Sequence, residues 1–183
     1  MPRLALYTFG ALKSPLADPA PPTRDFHDRA GGIYQRISRH PGYLAHAEAP
    51  EGEQGTHFEL DWGAWGEFAV PDWYGKGRTP ETIALAATLS LWTGLQPAFD
   101  AVYTGPHREA LNRRRDWFER ATHPTHACWW VADDVTPTWR EGVSRLEHLH
   151  GHAPAPHAFT FRHPFDPEGT PARISGAAAD GSE

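Results

Sequence analysis

Apolar and polar positions alternate along this chain with two different periods. Leu4 to Phe9, LALYTF, is a short apolar run with β-formers and predicts a first strand. From about Arg24 to Arg39, Phe26, Ala30, Ile33, Tyr34 and Ile37 recur at helical spacing, and Pro41-Gly42 ends the pattern. Gly31-Gly32 either weakens that helix or lets another backbone approach it closely. YLAHAE, residues 43–48, is a candidate second strand. IALAATLSLW, residues 83–92, alternates in steps of two and predicts a central strand. Helical spacing resumes at Leu95 and runs to about Arg120, with a break expected at Gly105-Pro106. HACWWV, residues 126–131, reads as another buried strand, and Thr138 to Glu141 has the form of a capping box opening a helix to about His150. The core order is βαββαβ, a ferredoxin-like α+β arrangement with two helices on one face of an antiparallel sheet. The other face would be exposed apolar surface unless a partner or ligand covers it.

Two stretches depart from both periods. Four prolines between Lys13 and Thr23 predict a loop of polyproline character. Residues 49–80 interleave glycine with Trp62, Trp65, Trp73 and Tyr74. Disordered segments are poor in aromatics, so this stretch is expected to be an ordered excursion or lid. After Pro164 the chain is polar and rich in Gly and Ala, and is expected to fray. One domain over residues 1–165 follows, with an insertion at about 49–80 and a flexible tail at 166–183.

Composition narrows the function classes. The chain has 183 residues and a net charge of −6, which argues against a general binder of nucleic acid and makes the Arg113-Arg114-Arg115 run a local feature. A single cysteine, Cys128, excludes an intramolecular disulfide. No apolar run approaches the roughly 20 residues that span a bilayer, and the N-terminal residues lack a signal-like apolar region, so no membrane contact and a cytoplasmic location are expected.

Within residues 107–118, a rotation of about 100° per residue places His107, Ala110, Leu111, Arg114, Trp117 and Phe118 on one stripe. Arg113 and Arg115 fall to either side. A guanidinium stays charged at physiological pH, so an inward Arg114 must meet a carboxylate, carbonyls or an anionic ligand, or carry its head out to solvent. Asp133, Asp134 and Glu67 are candidate structural partners. On the functional alternative, Arg114 and His107 line a pocket and orient a polar substrate. His107, early in a helix after Gly105-Pro106, is expected to be held neutral by the dipole, which suits capping the chain or stabilising a core and equally suits a general base.

These residues also carry a resemblance. LSLWTGLQPAFDAVYTGPHREALNRRRDWFE, then CWWV, then TPTWREGVSRLEHLHGHAPAPHAFTFRHPF resemble a bacterial family known as domain of unknown function 3291. The matching positions include Trp92, Phe99, Tyr103, His107, Arg114, Trp117-Phe118, Trp129-Trp130, Thr138, Arg145 and Ala158 to Phe161. The resemblance is strong over residues 83–165 and looser at the first strand and helix. It implies a dimeric α+β barrel, hence a homodimer, and more distantly the antibiotic-biosynthesis monooxygenase group.

On that basis the chain is expected to be a small-molecule enzyme, oxygenase-like or isomerase-like, acting on an apolar or aromatic substrate between sheet and helices. His107 would be base or hydrogen-bond donor and Arg114 would anchor an anionic intermediate. Trp92, Tyr103, Trp62, Trp65 and Trp73 would wall the pocket. No cofactor is required by this reading. The alternative is a non-catalytic ligand- or haem-binding barrel, with His107 on the iron. Haem-degrading relatives carry their ligand histidine about one turn further along, where this chain has Ala110-Leu111-Asn112. A third reading makes the aromatic excursion a docking surface for a partner.

Other constellations are weaker. His123, His126 and Cys128 lack a second pair with zinc-finger spacing. His148, His150 and His152 sit where a helix C-terminus favours cations. No Gly-rich phosphate loop, dinucleotide fingerprint or nucleophile elbow is present.

Overall fold

The computed structural model describes residues 1–15, 21–48, 62–79 and 83–176. It is a mixed α+β structure built on a four-stranded antiparallel sheet. The strands are β1 (Arg3–Ala11), β2 (Tyr43–His46), β3 (Leu85–Trp92) and β4 (His126–Val131), in the order β2-β3-β1-β4. The helices are α1 (Pro21–Ile37), α2 (Asp72–Gly75), α3 (Leu95–Tyr103), α4 (Gly105–Asn112), α5 (Arg114–Trp117) and α6 (Trp139–Gly151). None of those described is long and apolar enough to cross a membrane.

Side chains of each strand alternate between two cores, because successive residues point to opposite faces. Ala5, Tyr7, Leu89, Leu91, Ala127 and Trp129 face α6, which contributes Trp139, Val143 and Leu146. Leu4, Leu6, Trp92 and Cys128 face α3 and residues 158–174. The expectation of one uncovered face is therefore corrected. The α6 face is covered by the chain itself, by α6 and by the described part of the aromatic excursion. Trp62, Phe68 and Trp139 pack together there, and Phe9 meets Trp73 and Tyr74 edge-on. Residues 49–61 and 80 of that excursion lie outside the described residues.

Local chemistry fixes α6 closely. Thr138 accepts from the Glu141 backbone N–H while Glu141 accepts from the Thr138 N–H, so the expected capping box is present. One turn on, Gly142 rests on the Tyr7 ring. A Cβ there would lie 2.8 Å from Tyr7 Cγ, so only glycine permits this approach.

The helical run after Leu95 is three helices. Thr104 is extended and Gly105 has φ +55°, a break where Gly105-Pro106 predicts one. A second break at Arg113 (φ −97°, ψ 2°) was not expected from periodicity. Gly31 and Gly32 sit inside α1 with open space beside them, so they serve no close backbone approach. Past α6 the chain stays tied down as far as residue 176. Cys128 and Phe159 exchange backbone hydrogen bonds, Trp130 Nε1 donates to the Phe165 carbonyl, and Ile174 is buried. The expected fraying after Pro164 thus does not apply to residues 164–176; residues 177–183 lie outside the described residues.

Candidate functional site

A hollow of about 120 Å³ opens on the α3 side of the sheet, between the C-terminal half of α1 and the α3–α4 joint. Ile33 and Ile37 supply its apolar wall and Arg36 and His40 its polar rim on one side. Ala101, Thr104, Gly105 and His107 complete the other. The same i, i+4 spacing that makes α1 amphipathic delivers Ile33 and Ile37 together.

His107 is the third residue of α4. Its Nδ1 lies 2.8 Å from the Val102 carbonyl oxygen. A carbonyl only accepts, so Nδ1 carries the proton and Nε2 is left as the basic nitrogen. Burial holds the pKa below its ordinary 6.5, partly opposed by that hydrogen bond. The result is a neutral imidazole of fixed tautomer, able to take a proton or ligate an electrophile through Nε2.

The other expected site residues are dispersed. Arg114 does not share the hollow with His107. It opens α5, beyond the break at Arg113, and its Nη1 donates to the Leu111 carbonyl at 2.8 Å. The uninterrupted stripe through residues 107–118 fails because the rotation resets at that break. The pairing with a carboxylate falls to its neighbour: Arg113 bonds Asp25 at 3.0 Å and Asp116 at 3.3 Å. Trp92 is buried one layer behind the hollow. Its Nε1 donates to Ser90 Oγ, and its ring lies edge-on to His40 at 5.8 Å. Tyr103 packs on Phe99 and Phe161 rather than on the hollow. Trp62, Trp65 and Trp73 lie on the α6 face, across the sheet. One pocket containing all seven residues is not formed.

Arg36 and His40 escaped the sequence reading. Arg36 sits one position from Tyr34-Gln35 on a helix flank, and His40 follows the last apolar position, so neither interrupts a pattern. The His123, His126 and Cys128 group is also divided. His123 stacks on Trp73 at 4.0 Å, whereas His126 Nε2 accepts from the Phe161 N–H and Cys128 is buried in the opposite core. Among the described residues no group of three His, Cys, Asp or Glu side chains is placed to hold a metal ion.

No curated protein and no solved structure matches this sequence. A family model does, over residues 3–175, nearly the whole described fold and including the segment after Pro164. The chain therefore belongs to the family described as domain of unknown function (DUF3291).

Proposed function

We propose that this protein binds and transforms a small molecule at the hollow between α1 and the α3–α4 joint, with His107 Nε2 as the proton acceptor. The observation that carries this reading is the His107–Val102 hydrogen bond, which leaves a neutral, oriented base in the wall of an apolar recess. Proton removal from an activated C–H or O–H group is the step that isomerases and cofactor-independent oxygenases share. Arg36 and His40 on the same rim suit the anion that such a step creates. Arg114 has no part in this scheme; its contact is to the chain end of α4. A recess of about 120 Å³ takes one ring or a branched alkyl fragment of an apolar or aromatic substrate.

The strand order β2-β3-β1-β4 with α1 and α3 toward the same face supports a ferredoxin-like sheet, with its second face covered by α6 rather than left bare for a barrel. A homodimer of this fold would meet its copy across α6 and the aromatic segment, since those elements overlie the strands.

A second reading, His107 as a haem ligand, draws on the same hydrogen bond, because a backbone carbonyl orients ligating histidines in the same way. The recess is far below the roughly 300–1,000 Å³ of pockets for larger ligands, so haem does not fit it as α1 now lies. The test is mass spectrometry of the small molecule that co-purifies, followed by its titration into the wild type and His107→Ala. Equal binding and equal turnover in the two would remove His107 from the mechanism. A Soret band that shifts in His107→Ala would favour haem instead.

A further inference from the structure

Across the sheet from the hollow, a second group of side chains gathers under the C-terminal half of α6. Arg145 and His148 are three residues apart and share one side of the helix. The Arg145 guanidinium lies over the Trp129 ring, 4.7 Å from its centroid, and the side chain is 23% exposed. Its polar contacts are long: the Glu141 carbonyl at 3.5 Å and the Glu141 carboxylate at 3.7 Å. Arg145 Nε, Trp129 Nε1 and His148 Nε2 are all buried, and none has a hydrogen-bond partner among the described residues. His157 meets the His148 ring at 4.3 Å, and His152 stacks on it at 4.7 Å.

A helix C-terminus is a common place for histidines such as His148 and His152. That position does not account for a half-buried arginine in mid-helix whose Nε is unused, set over a buried indole whose N–H is unused as well. Buried donors in native proteins almost always meet an acceptor. Glu141 meets Arg145 only at long range, and Trp129 Nε1 has no acceptor among the described residues. Burial, then the charges of His148, Arg145 and His152, hold His157 below its ordinary pKa, so these groups do feel one another.

We propose that Arg145, Trp129 Nε1 and the histidines at 148, 152 and 157 form a binding site for an oxyanion, a phosphate or carboxylate group, at the β4 margin of the sheet. The planar guanidinium fork matches either anion, and the indole N–H supplies a fixed donor beside it. Three imidazoles, at 148, 152 and 157, gather beside them as further hydrogen-bonding groups. The site shares no side chain with the hollow and does not depend on His107.

The test is calorimetric titration and thermal unfolding of the full chain with inorganic phosphate and, separately, with benzoate. Ionic strength is held constant, and chloride is the control. The site predicts binding heat and a raised Tm with at least one oxyanion and neither with chloride. Phosphate alone, or benzoate alone, then identifies the group. His157 is exposed, so His157→Gln should fold normally and bind several-fold more weakly. Arg145→Lys keeps the charge but loses the fork, and should weaken binding roughly tenfold. Absence of any effect beyond that of chloride would overturn the site, as would unchanged binding in both variants. Tight zinc binding lost in His157→Gln, with no response to either oxyanion, would equally replace it with a metal site.

Discussion

His107 donates its Nδ1 proton to the carbonyl of Val102, a residue five positions earlier on the far side of the α3–α4 joint. The bend at Gly105 brings the end of one helix and the start of the next close enough for this bond. It fixes which ring nitrogen is basic and where the ring sits. Burial keeps that nitrogen unprotonated below the ordinary value of 6.5. Long-range proton–nitrogen NMR spectra should therefore show the Nδ1–H tautomer across pH 6–8. Turnover should keep its acid limb below pH 6.5. Observation of the opposite tautomer, or protonation at the ordinary value, would remove the base proposed here.

His126 offers a stability test of the α3 side. Burial lowers its pKa from 6.5 to about 4, and its Nε2 accepts from the Phe161 N–H. In the unfolded chain the ring protonates near 6.5, so between 6.5 and about 4 the unfolded state binds more protons and stability rises with pH. The contribution is complete above pH 6.5 and is lost as pH falls toward 4. Its size is on the order of 3 kcal/mol at 1.36 kcal/mol per unit. Urea unfolding at pH 7, 5 and 4 should show this slope, and His126→Gln should flatten it.

Gly142 sets the distance between α6 and the sheet. In Gly142→Ala the new methyl would sit 2.8–3.0 Å from three atoms of Tyr7, itself completely buried. Alanine is better than glycine in a helix by about 1 kcal/mol. Overpacking of about 1–3 kcal/mol opposes it, and here the neighbour is an immobile ring, so net destabilisation is expected in denaturant unfolding. A stabilised variant would mean that α6 shifts freely.

Asp25 joins α1 to α5. It accepts from Arg29 Nε at 2.8 Å, from Arg113 Nη2 at 3.0 Å and from Trp117 Nε1 at 3.0 Å. These bonds hold its carboxyl below the usual range, Arg29 foremost. Asp25→Ala should change global stability little, since the ion pairs are well exposed. Hydrogen exchange should report more: amides of α1 should lose protection while those of β1 and β3 keep theirs. Because α1 forms half of the hollow, ligand affinity should fall with the same substitution.

How far the sequence anticipates this structure depends on the distance over which each signal acts. The Thr138–Glu141 capping box, the alternation of β3 and the break at Gly105-Pro106 are local, and all three are where the pattern puts them. The break at Arg113 has no glycine or proline to announce it. Arg113 is held instead by Asp25 from another helix, a contact invisible to periodicity. That single turn separates Arg114 from His107 and dissolves the expected pair. The described part of the aromatic excursion packs against Trp139 and Phe9. Its placement across the sheet from Trp92 could not be read, since composition carries no information about sides. Arg145 matched the family pattern yet drew no role, because the indole beneath it comes from a strand sixteen positions earlier.

The bond between Cys128 and Phe159 also has a consequence for solubility. An outermost strand with unsatisfied backbone groups invites another chain to add itself there. On β4 the peptide groups that point outward at Cys128 are already taken by Phe159 from the same molecule. The opposite margin is β2, four residues long and kinked by an irregular register between Tyr43 and Ala45. Neither rim offers a long, regular template, so misassembly by strand addition is disfavoured at both ends of the sheet.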